Sequence, residues 1–243
     1  MSMNTTLTPR SRRDRPAKPP LSRDKIIATA LAIVQQDGLQ KVTMRRIAAD
    51  LDTGPASLYV YVRNTEELHA LLLDALLEQL PGERLQGESP AIQLHRLLWA
   101  YTQVLYDHPE IARIAMFTLP NGRYYLRLVD SMLGLLIEGG ASSKDAAWAV
   151  DMLLLYATMT AIEQSMRAAK GTEISEIAAL VRAVDTLDPE TYPHIARVGK
   201  DDLLGGEQQQ RFDWGIDVIL RGIASAALPP ADTATTPAAS PAS

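Results

Sequence analysis

Apolar residues recur at helical spacing along almost the whole chain, and this pattern constrains the fold more than any other feature. Between about residue 22 and residue 228, no segment shows the apolar–polar alternation that is typical of a half-buried strand. Capping residues such as Ser22, together with glycines and prolines, divide the pattern into about nine helical segments. The sequence therefore predicts an all-α protein, with a small three-helix head followed by a larger helical bundle.

Composition permits a sizeable core and excludes several other classes of protein. The 243 residues are 47% hydrophobic and 22% charged, the balance of an ordinary globular chain. Cysteine is absent, so disulfides and thiolate chemistry are excluded. The apolar run over residues 152–162 is shorter than the roughly 18 residues of a membrane span, and the N-terminus does not resemble a signal peptide. We therefore expect a cytoplasmic protein.

Charge is distributed unevenly along the chain. Residues 1–68 contain 11 Lys and Arg residues against 7 Asp and Glu residues. The rest of the chain contains 13 against 22, and the net charge is −5. A basic N-terminal quarter on an acidic body indicates a polyanion contact at one end, and the alternative is chance unevenness.

Two short helical segments separated by a glycine-containing turn lie within residues 42–64, which read VTMRRIAADLDTGPASLYVYVRN. Thr43 suits the cap of the first segment, which would bury Ile47 and Leu51, and Pro55 suits the first turn of the second. A preceding helix supplies the surface on which both segments pack. This arrangement predicts a helix-turn-helix, and the alternative is a three-helix core subdomain without a DNA contact.

These segments expose the residue types that contact a DNA duplex. Small residues let the backbone approach base edges in a major groove about 12 Å wide. A threonine at a helix N-terminus, two arginines and two tyrosines present groups that bind phosphates or bases. The residues concerned are Thr43, Arg45, Arg46, Pro55, Ala56, Ser57, Tyr59 and Tyr61.

The stretch over residues 39–76 resembles the DNA-binding domain of the TetR family of bacterial transcriptional regulators, and the match covers about residues 22–76. The shared pattern comprises Thr43, Arg45, Ile47, Ala48, the Leu58-Tyr59 pair and Asn64. The resemblance implies a recognition helix over about residues 55–61. It places phosphate contacts at Thr43, Tyr59, Tyr61 and Thr65, and it places base-reading positions at Arg45, Pro55, Ala56 and Ser57.

Three features depart from the family pattern. Asp52-Thr53 replaces the usual Gly-Val of the turn. Tyr61 stands where His is common, and Thr65 stands where the family usually has Lys, so we expect one weaker phosphate contact. The basic arm over residues 1–21 has two possible roles, an adjacent minor-groove contact or a solvated disordered leader, and the sequence leaves both open.

A two-fold dimer is expected, because one recognition helix makes a small interface and specific binding usually needs two half-sites one helical turn apart. The resemblance implies that the last two long helices, about residues 143–169 and 207–228, pair across the axis. Small residues there would permit close approach beside Trp214 and Ile219, although such residues also occur within a single bundle. They are Ala146, Ala147, Ala149, Ala161, Gly215, Gly222 and Ala226.

Large amphipathic residues in the middle helices predict a pocket for a small molecule, because ligand pockets combine apolar walls with a few polar groups. Each of these residues also suits an ordinary core position, and Glu163 alone offers a charge that would orient a polar or cationic group. The candidates are Trp99, Gln103, Tyr106, Met116, Tyr124, Met132, Trp148, Met152, Tyr156 and Glu163.

The C-terminal half resembles the effector domain of the tetracycline-repressor type. Where that type has a magnesium-binding His, this chain has Ala115, ahead of Thr118 and Pro120. We therefore expect a mostly apolar effector and neither a metal nor a cofactor. An enzyme is not expected, because the four histidines are scattered and no phosphate loop or nucleophile motif is present.

The predicted organisation is a disordered basic arm over residues 1–21, a helix-turn-helix domain over 22–68, an effector-binding and dimerisation domain over 69–228, and a disordered tail over 229–243. The predicted function is a ligand-responsive repressor that leaves a palindromic operator when it binds a small molecule. The alternative is a dimeric DNA-binding regulator without an effector.

Overall fold

The computed structural model describes residues 20–82, 85–116, 120–171 and 173–225, and these ranges contain eleven α-helices and no strand. The helices are α1 (Arg23–Asp37), α2 (Met44–Asp50), α3 (Pro55–Leu58), α4 (Thr65–Leu76), α5 (Pro90–Asp107), α6 (Pro109–Ala115), α7 (Arg123–Glu138), α8 (Ser143–Lys170), α9 (Glu173–Asp185), α10 (Pro193–Leu204) and α11 (Gln208–Ser225). Short 3₁₀ turns follow α1 at Leu39–Lys41 and α4 at Leu77–Gln79. The all-α prediction is confirmed.

The helix count exceeds the sequence estimate because α9 and α10 form in a stretch whose glycines and prolines suggested irregular structure. Pro193 begins α10 at a position that tolerates proline, and Gly199 breaks the regularity of α10 with a φ of 75°. The predicted tail, the arm up to residue 19, Thr118 and Ala226 lie outside the described residues.

The chain divides into two compact units, Met1–Thr65 and Glu66–Ser243. The predicted domain limits at residues 21, 68 and 228 stay predictions. In the first unit, Ser22 caps α1 by accepting a hydrogen bond from the Lys25 N–H at 3.3 Å. The core of this unit consists of apolar residues from the three helices and the segments that join them: Ile26, Ala30, Ile33, Leu39, Val42, Met44, Ile47, Ala48, Leu58 and Val62.

Helix α8 is the central helix of the second unit and packs on α5, α6, α7 and α11. Within the described residues it is the one helix that is long and apolar enough to cross a membrane, judged by length and composition. Half of its apolar stretch is buried against the other helices, which is typical of a core helix in a bundle. Four residues of α8 are fully buried: Ala146, Leu153, Ala157 and Ala161.

Helix α11 is fixed to the bundle by aromatic and charged contacts. The buried ring of Phe212 lies 5.4 Å from the ring of Tyr156, stacked on it, and 5.3 Å from the ring of Trp99. Next to Phe212 on α11, the two ring nitrogens of His95 on α5 face the carboxylates of Asp213 at 3.1 Å and Asp217 at 3.0 Å. These contacts hold α11 against α5 and α8.

Candidate DNA interface and ligand cavity

Helix α2 separates its two arginines into different environments. Thr43 caps the helix, since its hydroxyl accepts a hydrogen bond from the Arg46 N–H at 3.1 Å. The Arg46 side chain donates from Nε to both carboxylate oxygens of Asp50, at 3.2 and 3.1 Å, and its Nη2 lies 3.3 Å from Asp37. Hydrogen bonding to Asp50 raises the pKa of Arg46. Arg46 therefore ties α2 to the end of α1, whereas Arg45 is an exposed neighbour.

In the turn between α2 and α3, a residue other than glycine, Asp52, adopts a backbone geometry that favours glycine. Asp52 has a φ of 48°, in the left-handed region that favours glycine. Its N–H donates to the Ala49 carbonyl at 3.0 Å, and the Thr53 N–H donates to the Ala48 carbonyl at 2.9 Å. The Asp52-Thr53 departure from the family pattern thus retains a tight turn, which positions α3 after α2.

Helix α3 is one turn long, shorter than the recognition helix expected over residues 55–61. Beyond Leu58, the N–H groups of Tyr61 and Val62 both donate to the Leu58 carbonyl, at 2.9 and 3.0 Å, so the chain continues as a turn. Leu58 and Val62 are fully buried and anchor this segment in the core. Tyr59 is 52% exposed and Tyr61 36% exposed.

All nine predicted DNA contacts are exposed and belong to the first unit. They lie at the start of α2, along α3 and its following turn, and at Thr65, the first residue of α4. The small side chains of Pro55, Ala56 and Ser57 occupy the first turn of α3, where the backbone is accessible. This arrangement offers a narrow ridge with hydroxyl groups on it, the kind of shape that fits a major groove.

The ten predicted effector residues do not come together in one place. Met132 is fully buried, and Trp99 and Tyr156 pack on Phe212. The exposed members are Met116, Trp148, Met152 and Glu163, and Glu163 pairs with Arg167 on its own helix at 2.5 Å. The remaining members are partly buried: Gln103, Tyr106 and Tyr124. Their role in ligand binding stays a prediction.

None of the ten predicted effector residues lines either of two cavities in the described part of the second unit. The first has a volume of about 250 Å³ and lies between α5 and α7, where it is lined by Gln93, Arg96, Leu97, Ser131, Leu135 and Glu138. The second, of about 230 Å³, is apolar and is lined by Leu94, Leu135, Leu136, Leu220 and Ile223.

The first cavity has a polar wall that sequence reasoning missed. Gln93 is only 4% exposed, and its Nε2 donates to the carbonyls of Leu85 and Glu88 at 3.3 and 3.4 Å. Arg96 donates from Nη2 to the Glu88 carboxylate at 3.3 Å. Ser131 and Glu138 lie two helical turns apart on α7. This i, i+7 spacing places both polar residues on one face of the helix, and it is the sequence signal from which this wall could have been predicted. The cavity therefore combines apolar surface with a guanidinium, a carboxylate and a hydroxyl.

The outward face of α8 and α11 carries mostly large residues. Ala146, Ala149 and Ala161, expected between two copies, are buried within the single chain. Gly215 also serves internal packing, because a Cβ atom there would overlap the Tyr156 hydroxyl. Large apolar residues form the exposed face instead: Trp148, Met152, Leu155, Met159, Trp214 and Val218. Ala147 and Gly222 are exposed as well.

Comparison with known proteins identifies both units. Residues 26–71 match the family described as bacterial regulatory proteins, tetR family, and residues 89–227 match the tetracyclin repressor-like C-terminal domain. An HTH-type transcriptional regulator of Saccharopolyspora erythraea is 28% identical over 215 residues, which cover 86% of this chain and 87% of that protein. The HTH-type transcriptional repressor DrrR1 of Streptomyces coeruleorubidus is 26% identical over 87% of this chain and 80% of its own length.

Solved structures agree with these matches. The Streptomyces transcription regulator SCO7704 is 44% identical, with a TM-score of 0.66 over 93% of this chain and all of that chain. The Streptomyces coelicolor TetR family protein ActR in complex with actinorhodin is 29% identical, with a TM-score of 0.74 over 87% of this chain and all of that chain. The resemblance derived from the sequence is thus confirmed in both units, and the chain belongs to the TetR family of bacterial transcriptional regulators.

Proposed function

We propose that this chain is a homodimeric transcriptional repressor that binds a palindromic operator and leaves it when a small molecule enters the second unit. Family membership supports the class of activity. The observation that carries the ligand-responsive part is the cavity of about 250 Å³ between α5 and α7, in the domain matched to the tetracyclin repressor. A regulator acts on chromosomal DNA, so its place is the cytoplasm, and we infer no catalytic activity for it.

The DNA contacts follow from the chemistry of the exposed residues in the first unit. We assign base edges to Arg45, Pro55, Ala56 and Ser57, and phosphates to Thr43, Tyr59, Tyr61 and Thr65. Arg46 is assigned a weaker phosphate contact, because it would have to leave its ion pairs with Asp37 and Asp50 to reach DNA. Fixed side chains lose less conformational entropy on binding, but a paired charge offers less attraction to a phosphate.

The dimer interface is assigned to the outward face of α8 and α11. Six large apolar side chains on one face exceed what isolated surface residues of a monomer explain, and such patches mark protein contacts. Trp148 and Trp214 are the strongest anchors, since tryptophan contributes disproportionately to interface energy. This face replaces the small-residue contact expected from the sequence.

The effector class follows from the wall of the α5–α7 cavity. Leu97 and Leu135 offer apolar surface, while Arg96 and Ser131 offer hydrogen-bond donors. We infer a small molecule with an apolar, ring-containing body that carries carbonyl, hydroxyl or acidic groups. This inference adds polar groups to the mostly apolar ligand that the sequence predicts. Actinorhodin, bound by the relative ActR, is the first probe to use.

A release experiment tests the ligand-responsive part. Operator affinity is measured by fluorescence anisotropy at fixed salt, with and without actinorhodin, because salt alone changes DNA affinity strongly. We expect actinorhodin to raise the melting temperature of the free protein and to weaken operator binding. Leu97→Trp, which fills the cavity, should abolish the response, and Ile92→Ala on the exposed side of α5 is the matched control.

One outcome would contradict the ligand-responsive part of the proposal. If neither actinorhodin nor a wider set of small aromatic polyols and acids stabilises the protein, while the protein still binds its operator, the second candidate applies. That candidate is a dimeric regulator whose second unit serves dimerisation alone.

A further inference from the structure

The first turn of α7 is capped by a residue from α4. Gly122 precedes α7 and has no side chain to accept a hydrogen bond from the turn. The carboxylate of Asp74 takes this place, since its Oδ1 accepts hydrogen bonds from the N–H groups of Tyr124 at 3.0 Å and Tyr125 at 2.9 Å. The first N–H groups of a helix have no partner within it, and a negative charge is favourable there. Asp74 therefore supplies both the hydrogen-bond acceptor and the negative charge that the N-terminus of α7 favours.

The close approach of Asp74 depends on glycine at position 122. A Cβ atom at Gly122 would overlap the Asp74 carboxylate. The φ of Gly122 is −72°, which any residue adopts, so space rather than backbone conformation requires the glycine. The pairing of an acid on one helix with a glycine before another indicates a specific contact.

A second contact lies one helical turn further along the same side. The Tyr124 hydroxyl donates to the Glu78 carboxylate, and Nη2 of Arg127 donates to the Glu78 carbonyl at 3.3 Å. The guanidinium of Arg123 also lies over the Tyr124 ring, 4.3 Å from its centre. Asp74 lies on α4, and Glu78 lies in the 3₁₀ turn that follows it. We call the contacts of these two residues with the first turns of α7 the α4–α7 joint.

Helix α7 connects this joint with the cavity. Ser131, Leu135 and Glu138, two to four turns after the capped end, line the α5–α7 cavity. Helix α4, on the other side of the joint, begins at Thr65, the last residue of the first unit. A ligand that displaces α7 therefore acts on the helix that continues in sequence from the DNA-binding unit.

We propose that Asp74 is a positioning residue that holds α4 in the arrangement that binds operator, and that occupancy of the cavity acts on DNA affinity by disturbing this joint. The inference rests on the proposed function and deepens it. A ligand changes DNA affinity only through its preference for one state, and the joint is a discrete contact that a ligand-bound state can break. Glu78 reinforces the same contact.

The test compares Asp74→Ala with Asp130→Asn, which removes an exposed carboxylate of α7 outside the joint. Without any compound, Asp74→Ala should weaken operator binding by about 10-fold, within the range of known couplings, whereas Asp130→Asn should stay near wild type. Amide exchange at Tyr124 and Tyr125 should accelerate only in Asp74→Ala, because the cap protects these N–H groups. Actinorhodin should then weaken operator binding by Asp74→Ala far less than by wild type.

If Asp74 only caps α7 and has no role in the response, Asp74→Ala should accelerate amide exchange and lower the melting temperature without changing operator affinity. The proposal is overturned if Asp74→Ala, with native near-ultraviolet circular dichroism and dimer mass, binds operator as Asp130→Asn does. If Asp74→Ala fails to fold, Asp74→Asn is used, because its amide oxygen still accepts a hydrogen bond but lacks the charge. Its operator affinity should then lie below that of wild type, and equality overturns the proposal.

Failure of the proposed function gives a different result. A wild-type chain that selects no duplex sequence contradicts the proposed function and this inference together. A wild-type chain that binds a selected operator, with Asp74 variants indistinguishable from it, contradicts the joint alone.

Discussion

The guanidinium of Arg46 lies 3.3 Å from the carboxylate of Asp37 and joins the last residue of α1 to α2. The adjacent Arg45 is exposed, and its side chain forms no ion pair among the described residues 20–65. We therefore propose that Arg45 contacts DNA, whereas Arg46 serves mainly to join α1 and α2.

Arg45→Ala and Arg46→Ala should differ in kind. On the selected operator, Arg45→Ala should lose roughly 1–3 kcal/mol of binding free energy and relax one base preference. Arg46→Ala should lower the melting temperature and weaken binding to all sequences alike, because it removes a tie between helices and a non-specific charge. Anisotropy titrations on operator and mutated duplexes measure both effects. Equal loss of base preference in the two variants would contradict the assignment.

Asp52→Gly should stabilise the protein. A residue with a side chain costs about 1 kcal/mol or more at a left-handed φ, and glycine removes this cost. Asp52→Ala keeps the strain and loses the polar side chain, so it should be less stable than wild type. In urea unfolding, the free energy of unfolding should be highest for Asp52→Gly, intermediate for wild type and lowest for Asp52→Ala. A lower value for Asp52→Gly than for wild type would contradict this description of the turn.

Gly215→Ala should loosen the packing of α11 on α8, because the added Cβ overlaps the Tyr156 hydroxyl. Overpacking of this kind costs roughly 1–3 kcal/mol. The matched control is Gly222→Ala on the same helix, where a Cβ meets nothing within 4 Å and alanine favours the helix. The melting temperature should fall for Gly215→Ala and not for Gly222→Ala. The reverse result would contradict the packing of α11 on α8.

Trp148→Glu should weaken the dimer. Trp148 is 63% exposed in the single chain, and loss of an interface tryptophan costs about 2 kcal/mol or more, roughly a thirty-fold rise in the dimer dissociation constant. Ile92→Glu introduces the same charge on α5, away from the assigned interface. Sedimentation equilibrium distinguishes the variants, and a Trp148→Glu dimer as stable as the Ile92→Glu dimer would move the interface elsewhere.

Stability should fall as pH rises from about 10 to about 12, in part because of Tyr101. Burial raises the pKa of Tyr101 to about 12, although its hydrogen bond with Thr158 at 3.0 Å opposes the rise. The folded pKa exceeds the unfolded one, so this contribution is complete below pH 10 and lost as pH passes 12. It amounts to at most about 3 kcal/mol. The free energy of unfolding, measured in urea, should decline less steeply with pH for Tyr101→Phe than for wild type. Parallel declines would contradict this role of Tyr101.

Sequence reasoning succeeded where local chemistry decides the structure. Helix starts at Ser22 and Thr43 follow from a side-chain oxygen that caps the next N–H groups, and the structure has both of these bonds. The position of α3 after a tight turn follows from the same local logic. These features depend on residues a few positions apart, so one sequence contains the necessary information.

The remaining features depend on contacts between distant residues. Arg46 is exposed by its helical position, yet Asp37 on another helix engages it. The alanines of α8 suit a contact between copies or within one chain, and only the direction of each helix face decides between them. The cap of α7 by Asp74 crosses about 50 residues, and no spacing rule predicts it.

Selection of bound sequences from random duplex DNA tests the central claim most directly. The account predicts enrichment of a palindrome with half-sites about one helical turn, 10–10.5 base pairs, apart, bound by two chains per duplex. Recovery of no enriched sequence at low salt, by a protein that sediments as a monomer, would contradict it.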